Sequence, residues 1–145
     1  PELLGRAPVA QANFDAVQAG MRASITEGLN IAARDSCSGL SISGKTGTAE
    51  FGPLIERPDG RLVRQSHSWF VGYAPYDNPQ VVVAVLLEGT GDLGDGSSTM
   101  AVPAVTQILQ AYFKAAPPAD APRDCPALPV APFAPPAPPA VGAQP

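Results

Sequence analysis

Three polar residues stand close together in the stretch "GLSISGKTGTAEFGP", residues 39–53: Lys45, Thr46 and Thr48, with Gly44 and Gly47 among them. A cation flanked by two hydroxyls is chemistry for an anion, either a phosphate or a carboxylate. Gly39, Gly44, Lys45 and Thr46 satisfy the Gly-x-x-x-x-Gly-Lys-Thr rule of phosphate-binding loops. That rule needs a buried strand before the first glycine and a helix opening at the Lys-Thr pair, whose free N–H groups hold the phosphate. Residues 34–38, "RDSCS", are polar, and Gly47, Gly52 and Pro53 would stop a helix almost at once. The phosphate-loop match is accidental.

A strand fits these residues better. Residues 40–50 alternate and are rich in β-branched residues and glycine. Period-two geometry sends Lys45 to one face and Thr46 and Thr48 to the other. All three can meet one ligand only if it lies along the strand's edge, with Gly44 and Gly47 letting its backbone come close. Such an edge suits an extended peptide ending in a carboxylate, docked by strand addition. The same residues also fit a surface strand with an incidental lysine.

Little else in the chain offers chemistry. His67 is its one histidine, so no histidine-based metal cluster can be built, and no metal or cofactor is expected. Cys37 and Cys125 are too few and too far apart for a zinc site. They are either unrelated thiols or, in an oxidising compartment, a disulfide. The acidic residues of "EGTGDLGDGSS", residues 88–98, do not fit calcium-loop spacing. With two lysines and a net charge of −4 there is no basic patch, which argues against nucleic acid as a partner.

The elements that must position Lys45 read as helix, three strands, helix, tail. Asn13 is the expected N-cap and Asp15 lies in the first turn, followed by an apolar stripe of Phe14, Val17, Met21 and Ile25, with Gly28 as the stop. Strands are expected over residues 40–50, 66–74 and 80–87, with a long connection from Pro53 through "PDG" and a turn at "YDNP". The continuous apolar run of the third strand predicts a central position, buried on both faces. It is far short of the ~20 residues of a membrane helix. Val102, Val105, Ile108, Leu109, Tyr112 and Phe113 form the stripe of a closing helix, with Pro103 near its start. The fold class is α+β, three antiparallel strands with flanking helices.

The 145 residues divide into a connecting segment, 1–12, a folded part, 13–114, and a tail, 115–145. The tail is proline- and alanine-rich without apolar periodicity, and is expected to be extended or disordered. The chain opens at Pro1 and is expected to belong to a longer protein, with any membrane anchor upstream.

In order along the chain, "FDAVQAGMRASITEG", "SGKTGTAE", "SHSWFVGYAPYDNP", "VVVAVLLEG" and "GDGSSTMAVPAVTQILQAYF" resemble the C-terminal portion of a class B penicillin-binding protein's transpeptidase domain. The elongation-type penicillin-binding protein 2 branch is the nearest in pattern, over residues 13–114. The resemblance implies part of a penicillin-binding-protein and serine β-lactamase-like domain. That domain links peptide stems of peptidoglycan, and binds β-lactams, on the outer side of the bacterial cytoplasmic membrane. It implies that Lys45 serves the proton network and that Thr46 and Thr48 hold the donor's terminal carboxylate. The Thr48 N–H would form half of an oxyanion hole, and Gly47 would leave room for the substrate. His67 and Trp69 match the family's His-x-Trp-Phe position and are expected to pack behind the residues that touch substrate. The oxidising setting would permit Cys37 to pair with Cys125.

The chain departs from the family at one point. The nucleophilic serine belongs to Ser-x-x-Lys, yet Ile42 stands three residues before Lys45 and Ala111 three before Lys114. No serine is followed two residues later by asparagine. The nucleophile is expected upstream, in the missing part of the same domain, and this chain alone is expected to be inactive. A β-lactamase or carboxypeptidase relative and a non-catalytic β-lactam-binding or sensing module are the alternative readings.

Overall fold

The computed structural model of the chain describes residues 8–90 and 97–126. Its elements run α1 (Gln11–Thr26), a 3₁₀ turn (Ile31–Ala33), α2 (Asp35–Ser38), β1 (Ser43–Glu56), β2 (Leu62–Ala74), β3 (Val81–Leu87), a π-helical turn (Ser97–Ala101) and α3 (Val102–Phe113). The strands form one antiparallel sheet in the order β1-β2-β3. The α+β class and the three antiparallel strands agree with the sequence pattern.

Several boundaries differ. Helix α1 starts at Gln11 after Ala10, not at Asn13, and no side chain caps it. Asn13 donates its N–H to Ala10 O, and Asp15 accepts from Gln11 Nε2 at 2.9 Å instead of guarding the first turn. Of the expected stripe only Ile25 is buried; Phe14 and Val17 are 45 % and 61 % exposed. The helix meets β1 through its C-terminal half, so the N-terminal half of the stripe has nothing to bury against among the described residues.

Strand β1 runs six residues beyond the expected end. Gly52, at φ 72°, and Pro53 sit in a register break between Phe51 and Ile55. A bulge tolerates a residue without an N–H donor, so Pro53 bends the strand without ending it. The turn comes at residues 57–61 and is closed by Arg57 N–H donating to Arg61 O at 2.8 Å. Gly60 supplies its positive φ of 80°.

The central strand of this sheet is β2, not β3. Along β3 exposure alternates, with Val82 at 66 % and Leu86 at 39 %, while Val81, Val83, Val85 and Leu87 pack against the core. Helix α3 covers that second face: a side chain on Gly72 would fall 3.1 Å from Val105 Cγ1. Phe70 shares the face and is fully buried, as are Val102, Val105 and Leu109. Ile108 and Tyr112 of the expected α3 stripe are exposed.

Residues 115–126 carry turns but no helix or strand. They are tied to the body by a disulfide between Cys125 and Cys37 of α2. The rest of the tail and most of the glycine-rich loop lie outside the described residues. Among the described residues no helix is long and apolar enough to cross a membrane.

Candidate active site

Lys45, Thr46, Gly47 and Thr48 lie side by side on β1, an outer strand of the sheet, opposite Val71, Phe70, Trp69 and Ser68 of β2. Antiparallel partners share a face, so Thr46 and Thr48 stand on the face of Phe70 and Ser68, and Lys45 on the face of Val71 and Trp69. Lys45 and Thr48 are exposed and Thr46 is half-buried. Cation and hydroxyls meet only at the strand's outer edge.

The carbonyls of that edge already have partners at its N-terminal end. Arg22 Nη1 donates to Ile42 O at 2.7 Å, and Ser24 Oγ donates to Gly44 O at 2.5 Å. Lys45 Nζ donates to Thr46 O at 2.7 Å. Alternate carbonyls of a strand point the same way. Residues 42, 44 and 46 therefore turn their carbonyls away from β2, and Thr48 follows in the same phase. Arg22 and Ser24 had no signal in the sequence, since a side-chain contact to a distant backbone leaves no periodic pattern.

Gly44 has a different role from the one its position suggests. A Cβ there would fall 2.3 Å from Phe70 Cζ and 2.7 Å from Val71 O, so its smallness serves the core and not an incoming ligand. A Cβ on Gly47 would lie 3.1 Å from Trp69 Cβ, tight but near a side chain that is 38 % exposed.

His67 and Trp69 are on the Lys45 face, opposite Ala49 and Gly47. His67 stacks on Phe51, with ring centroids 4.1 Å apart and planes at 7°. Its Nδ1 accepts the Gly89 N–H at 3.1 Å, which fixes the ring as the Nε2-protonated tautomer and ties it to the turn after β3. On the opposite face Thr90 bonds Ser68 Oγ at 2.6 Å and donates its N–H to Ser66 O at 3.0 Å. Cys37 and Cys125 are joined with Cα atoms 5.4 Å apart, just before the loop into β1.

The family described as penicillin binding protein transpeptidase domain matches residues 1–110. The chain is 36 % identical over 77 residues to peptidoglycan D,D-transpeptidase MrdA of Haemophilus influenzae, covering 50 % of this chain and 11 % of that protein. It is 34 % identical over 82 residues to peptidoglycan D,D-transpeptidase PbpA of Mycobacterium tuberculosis, covering 54 % and 15 %. Among solved structures, penicillin-binding protein 2B of Streptococcus pneumoniae superposes with a TM-score of 0.53 at 26 % identity, covering 75 % of this chain and 17 % of that one. The chain thus spans less than a fifth of each of these relatives.

Proposed function

Because the chain belongs to the penicillin-binding-protein transpeptidase family, we propose that it supplies the lysine strand of a peptidoglycan D,D-transpeptidase. The observation that carries this reading is the placement of Lys45, Thr46 and Thr48 together on one outer edge of the sheet. A donor stem peptide adds to that edge as an extended strand. Its terminal carboxylate takes hydrogen bonds from the Thr46 and Thr48 hydroxyls, and a β-lactam carboxylate binds the same way.

The serine nucleophile comes from the part of the domain outside this chain. Its oxygen attacks the penultimate carbonyl of the donor, the peptide bond breaks, and the departing D-alanine amine takes up the proton. An acceptor amine then attacks the ester and restores the serine. Through both steps the Thr48 N–H faces the developing oxyanion; such a donor is typically worth about 2.7–4 kcal/mol of transition-state stabilisation. Lys45, near its own Thr46 carbonyl, needs only a side-chain rotation to reach a serine or carboxylate at the edge. His67 and Trp69 support the strand from its Lys45 face. The reaction takes place on the extracytoplasmic side of the bacterial cytoplasmic membrane, with the anchor upstream.

The test is labelling of the intact protein with a fluorescent penicillin. A one-to-one adduct on a serine preceding residue 1, strongly slowed by Lys45→Ala, is expected. No adduct on the folded intact protein would overturn the reading. Rapid hydrolysis of the adduct, with no transfer to an amine, would favour a β-lactamase or carboxypeptidase.

A further inference from the structure

Strand β1 carries the lysine yet lies at the edge of the sheet, where among the described residues its outward backbone groups face no neighbouring strand. We infer that Ser24 and Arg22 of α1 are positioning residues for Lys45: they bond the outward carbonyls at Gly44 and Ile42 in place of a neighbouring strand, and so fix where the lysine leaves the backbone. This inference rests on the transpeptidase reading and goes beyond it.

The geometry is specific. Ser24 Oγ is 2.5 Å from Gly44 O and 3.0 Å from Met21 O, so its one proton goes to the nearer acceptor, the residue before Lys45. Arg22 reaches two residues further back, to Ile42 O, and its other arm pairs with Asp35 Oδ2 at 2.6 Å. Its guanidinium carbon also stands 5.7 Å from the centre of the Tyr76 ring. Tyr76 in turn donates its N–H to Ser41 O at 2.8 Å, on the same approach to β1. Three contacts hold one guanidinium, a fork that a flexible ammonium cannot reproduce.

The helix that carries this clamp is itself fixed at the same end. Asn30 Nδ2 donates to Ser24 O at 2.9 Å, and Arg34 Nη2 donates to Gly28 O at 2.9 Å. These side chains satisfy carbonyls that a helix end leaves open. A Cβ on Gly28 would fall 2.3 Å from Ser24 O, so the chain must turn closely here. The backbone around Lys45 is thus held from one side by β2 and from the other by α1. The clamp from α1 thus acts at Ile42 and Gly44, immediately before Lys45.

The experiment uses the intact transpeptidase and penicillin, with the acylation rate constant and the non-covalent dissociation constant measured separately. Displacing a reacting group by about an ångström can cost on the order of 100-fold in rate. Ser24→Ala is expected to slow acylation by about 10-fold while the dissociation constant moves less than about 3-fold, since carboxylate and hydroxyl contacts remain. Ser24→Thr, which keeps the hydroxyl, is expected to restore the rate. Arg22→Lys serves as the second variant if Ser24→Ala does not fold, with the same split expected. Acylation within about 2-fold of wild type in a folded Ser24→Ala or Arg22→Lys protein would overturn the inference. A wild-type protein that penicillin does not acylate would instead overturn the transpeptidase reading.

Discussion

The ring of Phe70 fills the space that a side chain on Gly44 would need, across the β1-β2 pair and one residue before Lys45. Phe70 is fully buried beneath α3, so it cannot swing away without opening the core. Gly44→Ala is expected to destabilise the domain by about 3 kcal/mol, the upper end for overpacking a close-packed interior. Urea unfolding of the intact domain measures it. Wild-type stability would mean that Phe70 does not pack against β1.

Thr48→Val keeps the β-branched shape that suits a strand but removes the hydroxyl. Losing one hydrogen bond to a carboxylate weakens transition-state binding by roughly 1.5–3 kcal/mol. Acylation by penicillin should therefore slow strongly without vanishing, because the Thr48 N–H remains. Stopped-flow acylation at the wild-type rate would show that Thr48 does not face the ligand.

The 145 residues alone should neither capture penicillin nor cross-link peptides. Covalent capture needs an activated serine with a base in hydrogen-bond reach, and here no serine has a lysine three residues on. Incubation with fluorescent penicillin, then denaturing electrophoresis and mass spectrometry, should show no adduct. A stable adduct on any serine of this chain would refute this.

The turn at residues 57–61 carries a pH-sensitive tie. Asp59 accepts the Arg61 N–H at 3.1 Å and Arg61 Nε at 2.8 Å, and these bonds hold its carboxyl below the usual carboxylate range. A depressed folded-state value means the tie contributes fully above the unfolded carboxyl's range, about 3.9, and fades as pH falls through the lower folded value. Side-chain NMR titration should place the Asp59 midpoint below that of the same residue in a short peptide. An equal or higher midpoint would contradict the geometry.

Cys125→Ser opens the link across a separation of 88 residues. In the chain-entropy account such a loop contributes about 4.6 kcal/mol, against about 2–4 kcal/mol for a typical disulfide. The variant, or the reduced protein, should unfold at correspondingly lower urea. Hydrogen exchange should also speed up at residues 115–126. Identical unfolding with and without reductant would show that the link adds nothing to stability.

The sheet was legible because each strand advertises itself by alternation or β-branching and each turn by proline, glycine and aspartate. The edge location of Lys45 followed from polar residues on both faces of one strand. Phe14 and Val17 misled because periodicity reports an apolar face, not the presence of something to cover it. The rank of β3 within the sheet misled likewise: its seven apolar residues are covered on one face only. Gly44 looked like access for a ligand because the ring that excludes its side chain is 26 residues away in the sequence. The Arg22 and Ser24 contacts depend on how α1 docks, which local pattern does not encode.

The link between Cys37 and Cys125 makes a covalent ring that encloses all three strands and α3. A protease that cuts once inside the ring, for instance at the turn of residues 57–61, yields two pieces that cannot diffuse apart. Lys45 would then stay tethered to Trp69 and Phe70 although the backbone between them is broken. Cleavage there would be invisible on a non-reducing gel, and the nicked chain would keep its strands at each other's disposal until a thiol opened the ring.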